Sequence, residues 1–129
     1  MQQLWCGTRN IRDRYYSEIT DMLTKYPDLN PVFISFHYED LTAMRALTDA
    51  PCWYLVQTIT DEDIELALAI GGDCGIDFNY AKEDNTDEVI KKCVASGLTV
   101  GAWTVNDSEA VDRLASLGVE YITTDNITY

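Results

Sequence analysis

Basic residues are scarce in this chain, which carries 9 Lys and Arg against 22 Asp and Glu and has a formal net charge of −13. Proteins that bind nucleic acid through its phosphates need clustered Lys and Arg, so this balance argues against that class. An anionic membrane surface is disfavoured for the same electrostatic reason. The acidity instead predicts a surface that keeps the protein in solution by self-repulsion.

Histidine and paired cysteines are also few. His37 is the single histidine, and the four cysteines, Cys6, Cys52, Cys74 and Cys93, form no Cys-x-x-Cys pair. A tetrahedral zinc site would need ligands scattered over four elements, which argues against one. The last three cysteines lie in or beside apolar runs, so we predict that they are buried, unreactive thiols.

Long apolar runs and a phosphate-binding glycine loop are missing as well. No stretch approaches the roughly 18 consecutive apolar residues of a membrane span. Residues 1–7 lack the basic and apolar regions of a signal peptide, so we expect a cytoplasmic protein without a membrane span. Gly71-Gly72 lacks the following Gly and Lys of a phosphate-cradling loop.

The most informative stretch that is present is residues 97–106, GLTVGAWTVN. It begins where a helix stops on a glycine, continues as a short apolar strand, and ends in polar residues that can cap the next helix. Helix, turn, strand, loop and helix within about twenty residues are typical of a parallel βα repeat. Ligands bind at the carboxyl ends of the strands in such folds.

The same alternation runs along the whole chain. Apolar residues at helical spacing precede or follow short apolar strands, which we place at 32–36, 52–57, 74–80, within 97–106 and at 119–125. We expect an irregular lead-in over residues 1–10 and one α/β domain over residues 11–129, with parallel strands and right-handed crossovers. Two architectures fit: an open doubly wound sheet, or a partial (β/α) barrel arc of about five strands.

Three segments also stand in a distinctive order: ISFHYEDL at 34–41, WTVN at 103–106 and GVEYITTD at 118–125. Together they resemble the Ser-Phe, Trp-Thr-Val-Asn and closing Gly-Val-Asp-x-Ile-x-Thr-Asp segments of the glycerophosphodiester phosphodiesterases. The resemblance spans about residues 11–126, nearly the whole chain. It implies a TIM barrel, of which this chain covers the second half.

The resemblance also implies an activity, the hydrolysis of glycerophosphodiesters to glycerol 3-phosphate and an alcohol in lipid metabolism. The family's histidines lie in His-Arg-Gly and His-Asp segments, and its divalent metal, Ca²⁺ or Mg²⁺, is held by a Glu-x-Asp pair and a further Glu. None of these segments occurs in this chain. We therefore expect no catalytic residue, no metal ligand and no cofactor here, and no activity of this chain alone.

The remaining candidates are ligand-binding residues at the strand ends. Trp103 and Phe36 could form the apolar wall of a pocket for a glycerol-like group, or could be core aromatics. Asp77, with Asn79, could line a polar pocket. Asn106 could bind a ligand, although its position favours a helix cap. Asp125 could support the site or form a turn.

An incomplete barrel predicts association. A barrel arc has two open strand edges and an apolar interior, and both invite pairing with another chain. We expect a homodimer, or a complementing half-barrel chain that supplies the missing half. Three hypotheses follow: an inactive family member, an enzyme half that is active only with such a partner, or an unrelated small α/β binding module.

Overall fold

Helices and strands alternate strictly in this protein. The structure is a computed structural model that describes residues 9–125, with side chains from residue 15 onward. Its elements are α1 (Arg9–Lys25), β1 (Phe33–Ser35), α2 (Tyr38–Leu47), β2 (Cys52–Val56), α3 (Asp61–Ile70), β3 (Cys74–Asn79), α4 (Asp87–Ala95), β4 (Thr99–Trp103), α5 (Ser108–Leu117) and β5 (Tyr121–Ile122).

The strand order decides between the two predicted architectures. The five strands are parallel and lie side by side in chain order, β1-β2-β3-β4-β5. A doubly wound sheet would reverse its order at a switch point. The prediction of a partial (β/α) barrel arc is therefore confirmed, and the open-sheet alternative is wrong.

Local sequence signals set most helix ends. Thr60 caps α3 in a reciprocal capping box with Asp63, and Thr86 caps α4. Gly118 ends α5 with φ of 100°, in the left-handed region that favours glycine. A Cβ at this position would lie 2.8 Å from Cγ1 of Val94 on α4, so a residue with a side chain would also clash there.

Two boundaries differ from the sequence expectation. Helix α1 begins at Arg9, two residues inside the predicted irregular lead-in, and the other lead-in residues, 1–8, lie outside the described part of the chain. Strand β5 has two residues rather than the seven predicted, because residues 119–120 and 123–125 do not continue the regular ladder. No helix within residues 9–125 is long and apolar enough to cross a membrane.

The core lies between the sheet and the helices. Its larger cluster packs β2, β3 and β4 against α3, α4 and α5, and a smaller one packs β1 against α2 and α1. Alternate strand residues point into these clusters, as expected for strands with one face against helices. The strand members that are buried there are Phe33, Cys52, Val56, Ile76, Phe78, Val100 and Ala102.

Candidate functional site

The sheet face away from the helices, which we call the inner face, carries the candidate site. It consists of the strand residues that alternate with the core members, and the register places them in neighbouring rows. They are Ile34, Trp53, Leu55, Gly75, Asp77, Asn79, Thr99, Gly101, Trp103 and Tyr121. In a (β/α) barrel this face is the barrel interior, and its carboxyl-terminal rim is where ligands bind.

An aromatic pair lies at that rim. Trp103 ends β4, and its ring meets that of Phe36, just beyond β1, edge to face at a centroid distance of 5.9 Å. The indole Nε1 donates a hydrogen bond to the backbone oxygen of Asp77 at 3.1 Å, which fixes the orientation of the ring. Both aromatic residues are half-buried, so the pair presents an apolar wall at the carboxyl ends of the strands.

Asp77 lies on β3, on the inner face, two residues further from the carboxyl-terminal rim than the register position of Trp103. Its side chain is 5% exposed, and its Oδ1 has no hydrogen-bond partner. Gly101, its register partner on β4, makes room for it, since a Cβ there would lie 3.1 Å from this oxygen. Burial raises the pKa of Asp77 from 3.8 to about 6, because desolvation disfavours the charged form.

A second aromatic pair crosses the inner face beside Asp77, with Tyr121 in its register row and Trp53 in the row below. The rings of Trp53 on β2 and Tyr121 on β5 have centroids 4.5 Å apart, so they reach towards each other across the two intervening strands. The indole lies over Gly75, where a Cβ would approach its Cδ1 to 2.7 Å. The Trp53 Nε1 is buried and has no hydrogen-bond partner, like the Asp77 oxygen.

A loop asparagine that the sequence reasoning missed organises the rim. Asn85 is 7% exposed, and its Oδ1 accepts the backbone N–H of Ile59 at 2.8 Å. Its Nδ2 donates to the backbone oxygens of Gln57 and Asn79 at 2.9 and 3.0 Å. It therefore ties the loop after β2 to the loop after β3. The only sequence signal was its place just before the helix cap at Thr86.

The same loops place two amide side chains at the rim. The Asn79 Nδ2 donates to the Gln57 Oε1 at 2.7 Å, and its Oδ1 accepts the backbone N–H of Ala81 at 2.9 Å. The polar character predicted for Asn79 therefore serves the loop as well as the rim. Gln57 was not singled out from the sequence.

Asn106 does not join the other candidates. The cap of α5 is Asp107, whose side chain accepts the backbone N–H of Glu109, so the cap role that the sequence favoured for Asn106 is wrong. The Asn106 Oδ1 instead accepts from the Thr124 hydroxyl and the Asp125 N–H, both at 2.9 Å. Asp125 is thus held as a partner of Asn106, and together they join the loops after β4 and β5.

Asn106 also borders a separate cavity of about 320 Å³, between the start of α5 and the end of β5. Trp103, Phe36 and Asp77 do not line that cavity. The structure therefore brings three of the four predicted ligand-binding residues together on the inner face and places the fourth outside their group.

His37 precedes α2 and makes no side-chain cap. Its backbone N–H donates to the Ser35 hydroxyl at 2.9 Å, and this hydroxyl donates in turn to the buried Asp40 carboxylate at 3.3 Å. Tyr16 on α1 also donates to Asp40, at 2.6 Å. These contacts join β1, α1 and α2 on the helix side of the sheet, which makes them structural.

Two of the three described cysteines are buried as the sequence predicts, and the third is buried only in part. Cys52 and Cys93 are buried, and Cys74 is half-buried. Burial raises the pKa of all three thiols, that of Cys93 to about 12. Thiols with raised pKa values are poor nucleophiles and poor metal ligands at neutral pH.

The divalent metal implied by the resemblance finds no ligand set within residues 9–125. No three His, Cys, Asp or Glu side chains among the described residues converge where they could hold a metal ion. Asp77 stands alone on its strand face, and a single carboxylate does not form a calcium or magnesium site. The described residues do not fit the metal, and no chemical step is assigned to it here.

The fold and the rim together define a class. Five parallel strands in chain order, helices on one face and an aromatic and polar rim at the carboxyl ends are the features of a (β/α)-barrel scaffold. The profile of the glycerophosphoryl diester phosphodiesterase family matches residues 6–129. The chain belongs to this family, as its three short segments predict, and the alternative of an unrelated α/β module is wrong.

Solved structures agree with this assignment. A protein from Silicibacter pomeroyi assigned as a glycerophosphoryl diester phosphodiesterase is 27% identical, with a TM-score of 0.74 over 90% of this chain and 41% of its own. A phosphodiesterase from Oleispira antarctica, solved with the product sn-glycerol-3-phosphate, is 21% identical, with a TM-score of 0.78 over 90% of this chain and 47% of its own.

A glycerophosphodiester phosphodiesterase from Parabacteroides distasonis is 21% identical, with a TM-score of 0.73 over 94% of this chain and 50% of its own. This chain therefore spans 41–50% of the length of these three structures. A comparison with curated protein sequences gives no significant match.

Proposed function

We propose that this chain is the ligand-binding half of a glycerophosphodiester phosphodiesterase-type barrel, and that it does not hydrolyse phosphodiesters by itself. The observation that carries the proposal is the wall formed by Phe36 and Trp103 at the carboxyl-terminal rim. Aromatic rings bury the carbon backbone of a polyol, and the neighbouring amides of Gln57 and Asn79 offer polar groups to its hydroxyls. Family membership supports a glycerol phosphate as the ligand.

The scarcity of proton carriers and of basic residues on the described strands supports the proposal that the chain is inactive alone. Hydrolysis adds water across the phosphorus–oxygen bond, so one proton must leave the attacking water and one must reach the departing alcohol. The chain has one histidine, and His37 lies in a loop whose backbone N–H is bound by Ser35. No Lys or Arg lies on a described strand to neutralise the phosphate.

Catalysis by this scaffold then needs a second half. A homodimer or a complementing half-barrel chain would cover the inner face and the open edges of β1 and β5. Such an arrangement would place the proton carriers of the partner opposite the aromatic wall.

Binding is tested by titrating the purified chain with sn-glycerol 3-phosphate and following tryptophan fluorescence and heat of binding. We expect binding to the wild type, and at least a tenfold loss of affinity in Trp103→Leu, because the wall loses its larger ring. Trp53→Phe is the matched control, since Trp53 lies deeper on the inner face and leaves the wall intact. Equal affinities of wild type and Trp103→Leu would contradict the proposed wall.

Activity is tested separately with glycerophosphocholine, in the presence of added calcium or magnesium. We expect no release of choline by the chain alone. Turnover that purifies with the chain and depends on its concentration would refute the proposal that the chain is inactive alone. It would not contradict the proposal that the chain binds a glycerol phosphate.

A further inference from the structure

Two cysteines lie opposite each other on neighbouring strands. Cys52 begins β2 and Cys74 begins β3, and the parallel register pairs the two residues directly. Register partners point to the same face of a sheet, and both side chains pack on the helix side, against the smaller core cluster. Both thiols are free, and the other described cysteine, Cys93, lies apart from them on α4.

The spacing of the two strands suits a disulfide bond. Neighbouring strands lie about 4.8 Å apart, and the Cα atoms of a disulfide are usually about 4.4–6.8 Å apart. The Cβ atoms of a disulfide are about 3.5–4.5 Å apart, so the two side chains would have to approach by a few tenths of an ångström. Each cysteine is the first residue of its strand, where the ladder ends and the backbone is freest to make this adjustment.

A cationic side chain lies beside both thiols. Arg45 on α2 donates from Nη1 to the backbone oxygen of Ala50 at 2.9 Å and from Nη2 to that of Asp73 at 2.6 Å, so it holds the segments that lead into both strands. Its Nε is buried and has no hydrogen-bond partner. Burial raises the pKa of both thiols, and the Arg45 guanidinium, the next largest influence, lowers both pKa values. A thiolate that forms here therefore has a positive charge close by.

We propose that Cys52 and Cys74 form a thiol–disulfide exchange site, which a small-molecule disulfide converts into a reversible disulfide bond between β2 and β3. The site lies at the amino-terminal ends of the strands, opposite the aromatic wall of Phe36 and Trp103, so it does not depend on the proposed ligand. The raised pKa values slow the exchange at neutral pH, whereas the extent of oxidation depends on the relative stability of the two forms.

The exchange has two steps, and Cys74 takes the first because it is half-buried whereas Cys52 is 0% exposed. The Cys74 thiolate attacks one sulfur of glutathione disulfide, the S–S bond breaks, and one glutathione thiolate leaves. The Cys52 thiolate then attacks the Cys74 sulfur of the mixed disulfide and releases the second glutathione thiolate. Both thiol protons end on the released glutathione, so two protein thiols and one glutathione disulfide give one protein disulfide and two glutathione thiols.

The test uses the full chain with Cys6→Ser, because Cys6 lies outside the described residues and is a further thiol. The protein is unfolded in urea and refolded in reduced and oxidised glutathione at about pH 8.5, near the ordinary thiol pKa, so that slow exchange does not limit the result. Remaining thiols are then blocked, and mass spectrometry of the protein and its peptides locates each bond. We expect the loss of two hydrogens, a crosslink between Cys52 and Cys74 that dithiothreitol reverses, and an unchanged circular dichroism spectrum.

Two variants separate the roles of the thiols. Cys52→Ser should retain glutathione on Cys74, since no second thiol can displace it. Cys93→Ser is the matched control, because it removes another buried thiol and should leave the crosslink unchanged.

The result for the Cys6→Ser protein decides the proposal even if either of these variants fails to fold. A persistent glutathione adduct on Cys74, a bond to Cys93, or a pair that stays reduced would each overturn it. A crosslink that abolishes the native circular dichroism spectrum would overturn it as well, because the strand pair would then not accommodate the bond.

Discussion

Asn85→Ala tests the rim most directly, because one buried side chain joins two loops there. The substitution removes the acceptor of the Ile59 N–H and the donor to the backbone oxygens of Gln57 and Asn79. A buried group that loses its partner costs about 1–3 kcal/mol, whereas a net hydrogen bond contributes about 1 kcal/mol. Water can reach the two oxygens from the exposed rim, so the full penalty falls on the Ile59 N–H.

These terms give an expected loss of about 2–4 kcal/mol in the free energy of unfolding. A domain of this size has about 5–15 kcal/mol in total, so the loss would be readily measured. The assay is urea unfolding followed by circular dichroism, with the midpoint and the slope fitted together. The slope should not change, because the loss arises in the folded state.

Two variants control this measurement. Asn85→Asp keeps the acceptor for the Ile59 N–H but turns a buried carboxylate oxygen towards the backbone oxygens of Gln57 and Asn79, so at neutral pH its loss should be at least as large as that of Asn85→Ala. Asn30→Ala, at an exposed loop position, should have almost no effect. A loss below about 0.5 kcal/mol for Asn85→Ala, within the range of ordinary surface substitutions, would refute the role assigned to this residue.

Three further perturbations have defined outcomes. Gly118→Ala should lower the free energy of unfolding in urea by more than Gly97→Ala does, since both positions have positive φ but only the first places a Cβ against Val94, at 2.8 Å. The backbone strain alone costs about 1–3 kcal/mol at either position, so equal losses would argue against a clash with Val94. Thr60→Ala should lose about 1 kcal/mol, with faster amide exchange in the first turn of α3. Asp77→Asn should stabilise the isolated chain by about 1–3 kcal/mol at neutral pH, because burial raises the folded pKa of Asp77 from 3.8 to about 6. The wild type is then most stable below the unfolded pKa and loses stability as the pH rises through about 6, so the advantage of the variant should vanish below about pH 4 in a pH series of unfolding curves.

The sequence predicted the alternation of elements because each element carries its own period. The apolar runs of β1 and β2 and the helical spacing in α3 and α4 are local signals, and so are the caps Thr60 and Thr86. Strand order is not a local property, so the sequence pattern left two architectures open. Only the family resemblance favoured the barrel arc over the doubly wound sheet. The length of β5 was overestimated because an apolar run does not show which of its residues find a partner in the ladder.

The residues that were misjudged or missed are polar, and their roles depend on neighbours far along the chain. Asn106 and Asp107 are adjacent and both suit a helix cap, so sequence alone cannot choose between them. The choice follows from Thr124 and Asp125, whose loop takes the Asn106 side chain as a partner. Asn85 is similar, since its partners lie 26 and 28 residues earlier in the chain as well as 6 residues before it.

The environment of Asp77 follows from the face of β3 on which this residue lies. From the sequence, a carboxylate between Ile76 and Phe78 meant either solvent or a polar centre. Those two neighbours are buried against helices, so the period of two places Asp77 on the inner face, where Gly101 leaves space for it. A soluble single sheet would leave such a carboxylate hydrated and well paired. In this structure Asp77 is instead 5% exposed and its Oδ1 has no hydrogen-bond partner, so its carboxylate lies in the apolar setting of a barrel interior rather than on a hydrated sheet surface.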